Sequence, residues 1–140
     1  MITNFKKLTF AFILSGHCAY ADTTIQLHGF SVHDSGNYNS FNYGVGIQHD
    51  VSEKWSVSTG AYHNSEYATS SYLYARRTLY KTNKIDAGVS VGVVSGYKFM
   101  SIMPVAFPEI CYSYVCGIYL PKINSYGSNA IGFFLKIPIE

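Results

Sequence analysis

Apolar and polar side chains alternate with a period of two along much of this chain, the pattern of a strand with two unlike faces. In residues 41–49, Phe41, Tyr43, Val45 and Ile47 share one face and Asn42, Gly44, Gly46 and Gln48 the other. In 55–61, Trp55, Val57 and Ala61 oppose Ser56, Ser58 and Gly60. In 85–93, Ile85, Ala87, Val89, Val91 and Val93 oppose Asp86, Gly88, Ser90 and Gly92. No stretch keeps helical periodicity over three turns. Polar breaks at 34–40, 64–68, 95–101 and 122–128 are longer or richer in Gly, Ser and Asn than those near 51–54, 80–84 and 113–114. About eight strands result.

Alternation alone also fits a soluble sandwich, whose apolar face points to its core. The opposite face favours a membrane barrel, with a soluble secreted β protein as the alternative. Here it carries Gly, Ser, Asn and Gln with few charges, which suits a narrow barrel interior. The expected architecture is therefore all-β: an eight-stranded antiparallel transmembrane β-barrel, apolar outside, with aromatic girdles at the membrane interfaces. Short turns belong to the periplasmic end and the longer loops to the outer end, so odd strands run outward.

The N-terminus adds a direction of export. Lys6 and Lys7 precede the apolar run Leu8–Leu14, and Ala19-Tyr20-Ala21 ends in an A-x-A pattern. This reads as a signal peptide over 1–21, with a single barrel domain over 22–140. A lipoprotein signal at Cys18 is the rival, but His17 is a poor residue to precede a lipidated cysteine. The expected location is the bacterial outer membrane.

Composition then changes meaning. The whole chain carries a net charge of +2 and three cysteines. Without the signal it is neutral and keeps Cys111 and Cys116. A neutral surface gives no reason to expect nucleic acid. Thirteen tyrosines read as the interfacial belt. In ICYSYVCGIY, a two-residue turn at Ser113-Tyr114 sets Cys111 opposite Cys116, close enough for a disulfide. Two free cysteines are the alternative. Arg76-Arg77 reads as a periplasmic-side anchor.

Candidate chemistry is sparse. His28, His33, His49 and His63 match no zinc spacing, and no serine-hydrolase elbow or phosphate loop is present. No metal site, no cofactor and a monomer are expected. His28 falls on the first outgoing strand and Asn64-Ser65 where the third strand meets its outer loop. A serine beside a histidine supplies a hydroxyl and a base.

From about Ile25 to Ile137 the chain resembles the lipid A palmitoyltransferases, the PagP family. The resemblance rests on Gly44-Val45-Gly46, Trp55, Asn64-Ser65 after Ala61-Tyr62-His63, and the glycines of GVSVGVVSGY. It rests also on Pro104-Val105-Ala106-Phe107-Pro108 and Tyr119-Leu120-Pro121. It implies an acyltransferase acting on membrane lipids, phospholipid as donor and lipid A as acceptor. It implies His28, Asn64 and Ser65 as the catalytic set, and lateral lipid access beside Pro104, Pro108 and Pro121. The family's Asp is Asn64 here; an amide hydrogen-bonds but carries no charge to steady an imidazolium. A non-catalytic barrel that binds lipid or blocks a receptor at the cell surface is the second expectation.

Overall fold

A computed structural model describes residues 23–122 and 128–139. The signal-peptide reading over 1–21, with Cys18, lies outside them, as does most of the 122–128 break. Eight strands follow one another: β1 (Thr23–His33), β2 (Phe41–Asp50), β3 (Trp55–His63), β4 (Thr69–Lys81), β5 (Ile85–Ser95), β6 (Ile102–Tyr112), β7 (Val115–Leu120) and β8 (Ala130–Ile139). Each pairs antiparallel with its sequence neighbours, and β8 returns to β1 to close the barrel. Closure gives every strand two partners and removes the sheet edges. Among the described residues no strand-forming segment is replaced by helix.

The alternating faces resolve as expected. Val45, Ile47, Val57, Leu73, Val91, Val93, Ile110 and Ile137 are exposed on the outer wall, while Gln26, Gln48, Ser56, Ser58 and Ser90 are buried inside. Among the described residues, more polar than apolar side chains are buried. That inverts the usual partition of a water-soluble domain.

Glycines of the inner face make room for large neighbours. A Cβ on Gly46 would run into the Tyr72 hydroxyl, and one on Gly88 into the Arg76 guanidinium. The small inward residues are thus half of a size pairing, with the neighbouring strand for Gly88 and across β3 for Gly46.

The end carrying the short turns is filled with charge. Arg76 is 2% exposed, so it is no interfacial anchor. Its Nη2 lies 2.9 Å from Asp86 Oδ1 and its Nε 2.9 Å from Glu109 Oε1. Lys136 donates to the same Glu109 oxygen. Two cations and two carboxylates balance within the wall, as buried charge requires. Only Arg77 points outward, its guanidinium 5.3 Å from the Trp55 ring centre. Arg76, Lys136, Asp86 and Glu109 thus add a paired charge cluster to the small uncharged polar groups expected of the interior.

Cys111 and Cys116 form a disulfide across the β6–β7 hairpin, with Cα atoms 4.0 Å apart. Tyr112 pairs with Val115, so the two-residue turn falls on Ser113-Tyr114. Ser113 takes φ 56°, the left-handed turn conformation tight hairpins use. With both sulfurs bridged, the adjacent Glu109–Cys111–Cys116 cluster has no thiolate to offer a metal.

Candidate functional site

Above the charged end the interior is different. A cavity of about 860 Å³ is walled by His28, Tyr62, Tyr72, Tyr74, Tyr97 and Phe134, among others. Tyr38 lines it too, so five tyrosines border the cavity and do not belong to the interfacial belt; among the described residues Tyr43, Tyr67, Tyr80, Tyr112, Tyr114 and Tyr119 are exposed. Period two distinguishes faces only after the phase of each strand is known. Tyr72 and Tyr74 on β4 carry the inward phase. Their rings stack with centres 4.7 Å apart, and Tyr74 meets Phe107 edge-on at 5.0 Å.

His28 sits at the cavity floor. Its ring centre is 5.6 Å from Tyr62, 5.4 Å from Tyr72 and 5.6 Å from Phe134. Its Nε2 is 2.8 Å from the Tyr72 hydroxyl, which in turn donates to Gln26 Oε1 at 2.8 Å. Because that hydroxyl gives its one proton to Gln26, the imidazole Nε2 supplies the proton between them. Gln26 continues the chain to Gln48 at 3.3 Å. His28 is thus wired downward into the packed half.

Ser65 sits at the upper rim with a different histidine. Its Oγ is 3.2 Å from His33 Nε2. The cause is a β-bulge on β1: pairing with both β2 and β8 shifts register between His28 and Phe30. The two histidines are five positions apart, an odd offset, so an unbroken strand would point them to opposite faces. The bulge resets the phase, and both rings line the cavity. Gly29 occupies the irregular position. Strict alternation therefore found His28 and missed His33. The signal available in the sequence was the glycine inside a strand.

Loop contacts hold the pair in place. The Asn39 amide donates to the Ser65 carbonyl at 2.9 Å, and Asn39 Nδ2 to the Asn64 carbonyl at 3.2 Å. Asn42 Nδ2 donates to the His63 carbonyl at 3.0 Å. The first outer loop is thereby stitched to the second. On its other side Asp34 clasps Asn129: the Asn129 amide and Nδ2 donate to its two carboxylate oxygens at 3.0 and 2.8 Å. These bonds hold the exposed Asp34 carboxyl below the usual carboxylate range.

Asn64 is fully buried, and its side chain spends its whole hydrogen-bonding capacity on the loop. Oδ1 accepts from the amides of Glu66 at 2.8 Å and Ala68 at 3.0 Å. Nδ2 donates to Ser70 Oγ and to the Gly96 carbonyl, both at 2.9 Å. None of these four bonds goes to a histidine ring. A carboxylate here would keep the two accepted bonds and lose the two donated ones. Asparagine fits the position because the job is to brace the turn that carries Ser65.

The prolines mark a break in the wall. β6 pairs with β7 only over Glu109–Tyr112, while β5 pairs with β6 up to Ser95–Ile102. Pro108 is the first residue past the last β6–β7 rung, and it has no amide to extend the ladder. Pro104 and Ala106 are on the exposed face of β6 and yet line the cavity, together with Ile118 and Pro121 across the break. The cavity therefore reaches the outer wall between β6 and β7.

The sequence-predicted residues separate as follows. Ser65, His28, Pro104 and Pro121 border one cavity; Asn64 lies behind it; Pro108 ends the rung; the cysteine pair lies at the opposite end. Compared with known proteins, the chain matches no family model and no curated sequence.

Proposed function

We propose that this chain is an outer-membrane barrel that takes the acyl chain of a membrane glycerolipid into its upper cavity and acts on the ester at the Ser65 rim. The reaction class is acyl transfer between lipids, as the resemblance to lipid A palmitoyltransferases implies, with phospholipid as donor and lipid A as acceptor. One observation carries the reading: an apolar-walled cavity of about 860 Å³ opens sideways through the wall at a proline-marked break and has a serine–histidine contact at its rim. Its volume falls within the ~300–1,000 Å³ of ligand sites.

The outer wall supports a lipid setting. Valines, isoleucines and leucines exposed on most strands form an apolar surface far beyond what monomers in water carry. A closed barrel satisfies its backbone without water. Trp55, Tyr80, Tyr112 and Tyr114 sit exposed toward the short-turn end, and Phe41, Tyr43 and Phe99 toward the long loops. Those are the levels of two interfacial girdles. The export signal read over 1–21 leads to the same compartment.

The test is mass spectrometry of lipid A from cells with and without the gene, joined to a labelled-phospholipid assay on purified protein in detergent. Acyl transfer or release that disappears in Ser65→Ala supports the reading; wild-type protein with no activity above that variant overturns it. Asn64 favours a second reading, because the residue matching the family's Asp is used up in bracing a loop. In that reading the barrel binds lipid or shields a receptor without chemistry. Changes in the first outer loop, Asn37–Asn42, would then abolish the cellular phenotype while Ser65→Ala would not. Carbonate extraction and heat-modifiable gel mobility check the membrane setting for both.

A further inference from the structure

Two imidazoles border the cavity, and their surroundings assign them different work. We infer that His33, not His28, is the general base for Ser65, and that Ser65 carries the acyl group as an ester between donor and acceptor. For its substrate this rests on the acyl-lipid reading above; its chemistry is testable without that substrate.

His33 has the contact a base needs. Its Nε2 is 3.2 Å from Ser65 Oγ, within the range looser apo sites show for a nucleophile and its base. Its ring stacks on Tyr38 with centres 4.8 Å apart and planes 26° from parallel. That stacking fixes the ring plane, the orienting task a third group performs in catalytic triads. Its Nδ1 is buried with no hydrogen-bond partner among the described residues, so Ser65 Oγ is the group among them that engages the ring by a hydrogen bond. His28 is also packed among aromatic rings, but its hydrogen bond goes elsewhere than Ser65. Its Nε2 is engaged by Tyr72, whose hydroxyl is itself committed to Gln26. The β1 bulge is the element that makes the choice, since it turns His33 into the cavity at the level of Ser65.

The steps balance. With the donor's acyl tail in the cavity, Ser65 Oγ bonds to the ester carbonyl carbon and gives its proton to His33 Nε2. The bond from that carbon to the glycerol oxygen breaks. The glycerol oxygen takes the proton from His33, leaving a lysolipid and an acyl ester on Ser65. An acceptor hydroxyl then gives its proton to His33 and bonds to the carbonyl carbon. Ser65 Oγ leaves and recovers the proton. With water as acceptor the same sequence is hydrolysis.

The test uses the folded full-length mature barrel in detergent micelles and a biotinylated alkyl fluorophosphonate as the serine probe. Wild-type protein is expected to gain one adduct, mapped by mass spectrometry to Ser65, at a rate that falls as pH drops through the imidazole range. His33→Gln is expected to slow labelling at neutral pH by about 100-fold or more and to erase that inflection. His28→Gln is expected to keep the inflection while shifting the preference for probe chain length. No Ser65 adduct in folded wild type overturns the inference. So does a His33→Gln variant with the wild-type rate and profile, or an inflection that follows His28. Should His33→Gln misfold, carbethoxylation mapped to His33 in wild type replaces it; labelling that survives the modification overturns the inference, and labelling that is lost supports it. Wild-type protein that labels through His33 but moves no lipid acyl group sinks the lipid reading and leaves the base assignment standing.

Discussion

The two ends of the barrel interior are built on the same alternating strands and do opposite things. Toward the short turns, Arg76, Asp86, Glu109 and Lys136 meet in paired charges beside Ser56, Ser58 and a disulfide. Toward the long loops, aromatic rings of Tyr62, Tyr72, Tyr74 and Phe134 stand around open volume. Long flexible charged side chains reach across a narrow barrel and find each other. Rigid rings pack against the wall and against one another, and leave the axis clear. The chain His28–Tyr72–Gln26–Gln48 is the boundary between the two. Paired buried charge and open cavity are thus placed at different depths of one scaffold, and perturbing one end should spare the other.

The largest effect is expected in the packed end. Glu109→Ala leaves Arg76 and Lys136 buried with Asp86 as their remaining counter-charge. Uncompensated burial of this kind costs about 3–5 kcal/mol, read as a lower urea midpoint of the micelle-bound barrel. An unchanged midpoint would show that water already reaches this cluster.

A smaller loss is expected at the rim from Asn64→Asp, which restores the carboxylate of the resembled family. It removes the donors to Ser70 Oγ and the Gly96 carbonyl, a loss of about 2–3 kcal/mol for two buried partners left unmade. Activity should fall with it. A gain in activity would instead tie this position to the imidazole and not to the loop.

Replacing Cys111 and Cys116 together by Ala opens a hairpin bridge spanning five residues of sequence. Chain-entropy reasoning for so short a loop gives about 2 kcal/mol. Heat-modifiable mobility should shift downward while Ser65 labelling by the phosphonate probe stays as in wild type. A change in labelling would mean that the two ends are coupled.

The smallest effect concerns the Asp34–Asn129 clasp. Its carboxyl is held below its ordinary range by the Asn129 bonds. The clasp therefore contributes above the unfolded-state carboxylate pKa, and that contribution fades as pH falls through the lower folded value. Hydrogen exchange at the Asn129 amide should accelerate only in that acidic window. Acceleration at neutral pH, or none at any pH, would break this account.

Much of the wall was legible in the residues. The turn at Ser113-Tyr114, the cross-strand Cys111–Cys116 pair and the outward valines of β5 follow from a period of two and from turn length. The interior was legible only in part. Arg76 and Arg77 are adjacent, and nothing in an R-R pair says which of them enters the barrel. The tyrosines looked alike in composition, yet strand phase sends Tyr72 and Tyr74 inward and Tyr80 outward, with a register shift between Thr78 and Tyr80 on the way. Asn64 resembled a weakened catalytic position, and its four hydrogen bonds belong to groups up to 32 residues away.

The sequence by itself determined the strands, their number, their apolar faces and the turns between them, because alternation and turn propensity act over a few residues. Only the tertiary structure decided what closure brings together. A single bulge at Gly29 reverses the phase of β1, and a loop stitched through Asn39 brings Ser65 to His33 across 32 positions of chain. Register irregularities and long-range hydrogen bonds are balances among neighbouring strands, and no local pattern carries them.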